Sequence, residues 1–103
     1  MHEMSIAMEV CRIAEDQVGA EALPRITEIG LVVGAHSGVE PESLRFCLEA
    51  LLERPPFQGA RPALEITVGD DLRVAYLDVD AAGGPELDEP GRAGATPALG
   101  SIR

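Results

Sequence analysis

The chain has 103 residues, 46% of them hydrophobic and 25% charged, which suits one small domain and argues against wholesale disorder. Its 8 basic residues, all Arg, face 18 Asp and Glu, for a formal charge of −10. That balance argues against a surface that neutralises nucleic-acid phosphates or docks on an anionic membrane, and it favours a basic protein partner or a cation. Aromatic residues make up only 3%, so the core is expected to be aliphatic.

The first helix is expected from about Met4 to Val18, with Ser5 as its cap. Ile6, Val10, Ile13, Ala14 and Val18 recur at spacings of three and four and form one face, with Cys11 beside it. Met4 and Met8 are expected to pack as helix residues. Gly19 is a natural C-cap. After Leu23-Pro24 a strand is expected over about Arg25 to Val33, with Ile29, Leu31 and Val33 on one side and Ile26 and Val32 on the other. Ala35 to Val39 form a loop. A second helix starts near Glu40-Pro41, where the missing N–H of proline costs nothing and acidic residues suit the helix dipole. Its apolar stripe is Leu44, Cys47, Leu48, Leu51 and Leu52, and Pro55-Pro56 stops it.

Two more strands follow. Leu64, Ile66 and Val68 alternate with Glu65 and Thr67 within Ala63 to Val68. Leu72 to Val79 also reads as extended, but its parity slips between Val74 and Leu77. A bulge near Ala75-Tyr76 would return Leu72, Val74, Leu77 and Val79 to one side. Only Gly69-Asp70-Asp71 separates the two strands, which suggests an antiparallel hairpin. From Ala81 to the end the chain is rich in Gly, Pro and Ala and reads as a disordered tail over residues 81–103. The expected fold is α/β of the α+β kind, over residues 1–80. Two helices pack on one face of a three-stranded sheet in the order α-β-α-β-β, and the other face is left for solvent or a partner.

Cys11 and Cys47 are too few for a zinc site local in sequence and read as packed structural thiols. No apolar run reaches the ~20 residues of a membrane span, and the N-terminus lacks the order of a signal peptide, so a cytoplasmic protein with reduced thiols is expected. No catalytic triad or phosphate loop can be assembled, and no enzyme is expected.

The chemistry concentrates at the N-terminus. A free amine on Met1, the amide nitrogen of His2 and His2 Nδ1 can close a five-membered and a six-membered chelate ring on one metal. Amide coordination requires loss of the amide proton, which suits Ni(II) and Cu(II), with their planar nitrogen-rich sites, better than tetrahedral Zn(II). A fourth planar position remains, with Glu3, Glu40 and His36 as candidates. For each there is a plainer reading: a surface charge for Glu3, a helix-start carboxylate for Glu40, a loop residue for His36.

The order of motifs carries a resemblance. The opening Met1-His2-Glu3-Met4-Ser5-Ile6-Ala7, the block Ser37-Gly38-Val39-Glu40-Pro41-Glu42-Ser43-Leu44 after Val33-Gly34, and Ala63-Leu64-Glu65-Ile66 together resemble the HypA/HybF family. These are nickel metallochaperones of nickel–iron hydrogenase maturation. The resemblance implies Ni(II) bound through His2, an acidic residue at position 40 near it, a HypB-like GTPase partner, and delivery to the hydrogenase large subunit. The family also carries a zinc unit with two Cys-x-x-Cys pairs after the strand matching Leu64 to Val68. Here no Cys follows Cys47, while Leu72 to Asp80 resembles the family's closing strand. The expectation is a family member without the zinc unit and without structural zinc, its flanking strands joined directly. It is either a nickel-binding accessory protein or an interaction module that kept the docking surface and lost metal delivery. A regulator unrelated to metal is a third option.

Overall fold

The computed structural model describes residues 2–80 and 100–102. The elements are α1 (Glu3–Val18), a 3₁₀ turn (Ala20–Arg25), β1 (Ile26–Gly34), α2 (Pro41–Leu52), β2 (Arg61–Thr67), β3 (Leu72–Val79) and β4 (Gly100–Ser101). The fold is α+β, with the two helices on one face of a mixed sheet whose three main strands follow the expected chain order. β4 adds a two-residue edge, giving the order β2-β1-β3-β4 among the described residues.

Each helix turns the stripe its spacing predicts to the core, with Val18, Cys47 and Leu51 only half-buried. Ile6, Ala7, Val10, Ile13 and Ala14 of α1 are buried, as are Leu44, Leu48 and Leu52 of α2. They close over Ile29, Leu31 and Val33 of β1 and over Leu72, Val74 and Leu77 of β3, all in one core cluster. Gly19 ends α1 at φ 87°, and its N–H donates to the Glu15 carbonyl at 2.8 Å. Two expectations for α1 fail. Ser5 is not the cap, because the helix has already begun at Glu3 and the extended N-cap residue is His2, at φ −85° and ψ 129°. Met4 and Met8 are 42% and 58% exposed. Their positions fall on the flank turned away from the buried stripe.

The bulge in β3 is present. Gly30 pairs with Tyr76 and Leu31 with Val74, so Ala75 is the extra residue. Leu72, Val74 and Leu77 are therefore all buried, and Val79 packs against the same core.

The hairpin is not present. β2 runs parallel to β1, β3 runs antiparallel to it, and β1 lies between them. A parallel pair needs a crossover, and α2 supplies it between β1 and β2. The segment Val68–Asp71 must then span two strand spacings, roughly 9.6 Å, rather than one. It does so by crossing the end of β1. There Gly34 N–H donates to Asp71 C=O at 2.6 Å, Ala35 N–H to Thr67 C=O at 2.7 Å and His36 N–H to Gly69 C=O at 2.7 Å. The crossing leaves one buried hydroxyl, Thr67 Oγ1, without a hydrogen-bond partner. Thr67→Val is accordingly expected to leave stability unchanged or to raise it by up to about 1 kcal/mol in a denaturant melt, because it removes an unpaired buried polar atom at nearly equal volume.

The sheet face away from the helices is partly closed by its own side chains. The Tyr76 ring lies where a side chain on Gly30 would stand. Its hydroxyl donates to Glu28 Oε2, and Arg61 Nη2 donates to Glu28 Oε1 at 2.9 Å, so Glu28 ties β2, β1 and β3 together. Of the tail, residues 81–99 and Arg103 lie outside the described residues. At its far end, β4 pairs with Arg73 and Val74, Ile102 N–H donates to Leu72 C=O at 2.9 Å, and Ile102 packs against the core.

Candidate metal centre

The two helices begin side by side. Glu3 is the first residue of α1, and its Oε2 accepts the backbone N–H of Glu40 at 2.9 Å. Glu40 is the N-cap of α2, and its Oε1 accepts the N–H of Ser43 at 3.0 Å, with Pro41 in the first helical turn. Two of the candidate residues, 37 apart in sequence, thus meet through the carboxylate of Glu3 and the backbone of Glu40. Glu40 performs the helix-start role that its position suggested. Both carboxylates offset the positive ends of two helix dipoles, which on their own repel a cation.

His2 is exposed, and its side chain makes no capping hydrogen bond. Its carbonyl accepts Ile6 N–H at 3.2 Å, while the N–H of an N-cap residue stands outside the helical ladder. The imidazole and the amide nitrogen are therefore both uncommitted to holding α1. Met1, the expected amine donor, lies outside the described residues. His36 is exposed in the β1–α2 loop, held by its backbone to Gly69. The structure joins Glu3 and Glu40 beside His2 and does not join His36 to them through any side-chain contact. Among the described residues, no three His, Cys, Asp or Glu side chains converge on one point.

The Glu3 carboxyl is held below the ordinary carboxylate range, first by the Glu40 N–H. A lowered folded-state value contributes stability that is present above the unfolded value and is lost as pH falls through the folded one. The melting temperature of the wild type is expected to exceed that of Glu3→Gln above pH 4.5, with the gap closing as pH falls below it. A gap that persists unchanged at pH 3 would refute this role for the ionised carboxylate.

The thiols stand apart from this site. Cys11 and Cys47 are half-buried against the core, and burial pushes Cys11 up to about 11, so it stays a neutral thiol at pH 7.

What the sequence reading missed is the inner lining of the loop. Ser37 is 3% exposed, and its Oγ accepts Val39 N–H at 3.3 Å. Its place in a polar loop, between His36 and Gly38, gave no sign of burial.

A family model described as hydrogenase/urease nickel incorporation, metallochaperone, hypA matches residues 1–70. The chain belongs to the HypA family. It is 46% identical over 65 residues to the hydrogenase maturation factor HypA of Chlorobaculum parvum, covering 63% of this chain and 58% of the relative. It is 42% identical over 69 residues to that of a Geobacter species, covering 67% and 60%. An alignment over 113 residues with HypA of Azotobacter chroococcum has 43% identity and covers 78% of this chain and 100% of the relative. The chain thus spans about three fifths of the length of the first two HypA relatives. The family is one of metallochaperones rather than enzymes. Among the described residues, no helix is long and apolar enough to cross a membrane.

Proposed function

We propose that this HypA family member is a nickel-binding accessory protein for nickel–iron hydrogenase maturation. It takes Ni(II) as cargo at the Met1 amine, the His2 amide nitrogen and His2 Nδ1. The observation that carries this reading is the position of His2. As an extended N-cap residue with an uncommitted side chain, it can present amide and imidazole to one metal without unwinding α1. Two of the three nitrogens are backbone atoms, so a cluster of side chains is not required. The positive end of α1 favours the anionic, deprotonated amide. Glu3 or Glu40 completes the plane, with His36 a poorer candidate because its side chain makes no contact with that pair. Planar nitrogen coordination selects Ni(II) over Zn(II).

No structural zinc belongs to this reading. The family match ends at Asp70, inside the crossing, while the sheet continues at once into β3. The full-length alignment points the same way. Its 113 positions take in the whole Azotobacter relative and use 78% of 103 residues, about 80, so about 33 positions of that relative have no counterpart here. The proposed setting is cytoplasmic, with a HypB-like GTPase and the hydrogenase large subunit as partners, and the −10 charge favours basic docking surfaces on them.

Those unmatched positions also favour a second reading, a docking module that no longer delivers metal. Isothermal titration with Ni(II) decides between them. The chain with its native N-terminus should bind one Ni(II), and the same chain extended by Gly-Ser ahead of Met1 should lose most of that affinity, because the amine is moved away. Equal affinity in the two forms overturns the N-terminal site.

A further inference from the structure

The nickel-site residues do not stand on α1 and α2 alone. A continuous run of short contacts leads to them from the crossing between β2 and β3. Thr67, Gly69 and Asp71 carbonyls hold the N–H groups of Ala35, His36 and Gly34. Ser37 N–H then donates to Gly34 C=O at 3.0 Å. Ser37 Oγ, buried, accepts Val39 N–H. Glu40 N–H, the next in line, donates to the Glu3 carboxylate, and Glu40 in turn caps α2 through Ser43. Each of residues 34–37, 39 and 40 thus has its backbone N–H assigned to a partner. The first three partners belong to the crossing and the last belongs to the residue after His2.

We propose that Ser37 and the crossing backbone Thr67–Asp71 are positioning elements for metal binding: they fix residues 34–40 so that the Glu40 N–H holds the Glu3 carboxylate beside the N-terminal chelate. This rests on the N-terminal nickel reading. The physical reason is preorganisation. A carboxylate one residue from the chelate reaches a fourth planar position at lower entropic cost when its rotamer is set beforehand, and a side chain at a helix start is otherwise free to swing into solvent. The crossing does this through backbone carbonyls, whose positions the sheet fixes. Ser37 carries the restraint over Gly38, which takes a φ of 86° that glycine adopts without strain. Ser37 and the crossing touch no metal; they act through Glu40 and Glu3.

The test uses the full chain with its native N-terminus and Ni(II) alone. Ser37→Ala should weaken nickel binding by about fivefold, the worth of one hydrogen bond. It should also speed amide exchange at Glu40 in the metal-free protein, while exchange at core residues such as Val74 is unchanged. Ser37→Thr, which keeps the acceptor, should restore both. In a Glu3→Ala background, Ser37→Ala should have no further effect on nickel, because its route is gone. Should Ser37→Ala fail to fold, Ser37→Cys, with a weaker acceptor, is expected to show the same effects in smaller measure. Unchanged Glu40 exchange in Ser37→Ala overturns the proposal, and so does a nickel effect that persists in full without Glu3. If His2→Ala weakens nickel binding and Ser37→Ala does not, the positioning role alone falls. If neither weakens it, the N-terminal site falls and the positioning role with it.

Discussion

Gly34→Ala is expected to lower the melting temperature by roughly 12–24 °C, from a loss of about 3 kcal/mol. The space a methyl group would need is occupied by backbone. A Cβ on Gly34 would lie 2.7 Å from Asp71 N and as close to the Gly69 carbonyl carbon. A flexible side chain could turn aside, but here the nearest atoms belong to the chain that crosses β1, and moving it breaks the three hydrogen bonds at residues 34, 35 and 36. At about 1 kcal/mol each these account for the magnitude. For a folded part of this size the loss is a large share of total stability, about 0.05–0.15 kcal/mol per residue. A thermal melt followed by circular dichroism checks it. A shift under about 2 °C would mean that the segment joining β2 to β3 does not pass this closely over the end of β1.

His2→Ala is expected to reduce Ni(II) affinity by at least roughly 100-fold, about 2.7 kcal/mol, while leaving the fold intact. Loss of an outer-sphere partner already costs ~10–100-fold at metal sites, and here a donor and a chelate ring disappear together. The variant is structurally clean, because the His2 imidazole is exposed and caps nothing, whereas the carbonyl that accepts Ile6 N–H is kept. Melting temperature should therefore stay within a degree or two while nickel binding falls. Unchanged affinity would sink the N-terminal site. In a strain lacking its own HypA, the same substitution separates the two functional readings. Rescue of hydrogenase activity that is lost with His2→Ala supports metal delivery, and rescue that survives it supports a docking module.

Most single elements were legible in the sequence, because each is set by a short-range pattern. The 3.6-residue stripe placed the buried faces of α1 and α2. Strict alternation in strands made the parity slip at Ala75-Tyr76 readable as a bulge, and the bulge is there. The α1 cap was misplaced because Ser5 has the right side chain and the wrong backbone, while His2 has the extended backbone and no capping bond. The hairpin was misread for a different reason. A short loop limits how far apart two strand ends can lie, but not whether a third strand runs between them. A signal was available in β1, which has no polar side chain from Ile29 to Gly34, as suits a central strand, and all six residues are buried. Ile26 and Val32 opposite Ile29, Leu31 and Val33 were the trace of it.

By itself the sequence determined the two helices and the three main strands, and it supplied the proposed amine, amide and imidazole donors, because chelating atoms joined by covalent bonds need no fold to bring them together. Only the tertiary structure decided the strand order, the need for glycine at position 34, and the meeting of Glu3 with Glu40. These depend on which segments pass within van der Waals contact, and the residues concerned lie about 37 positions apart, beyond the range of any local periodicity.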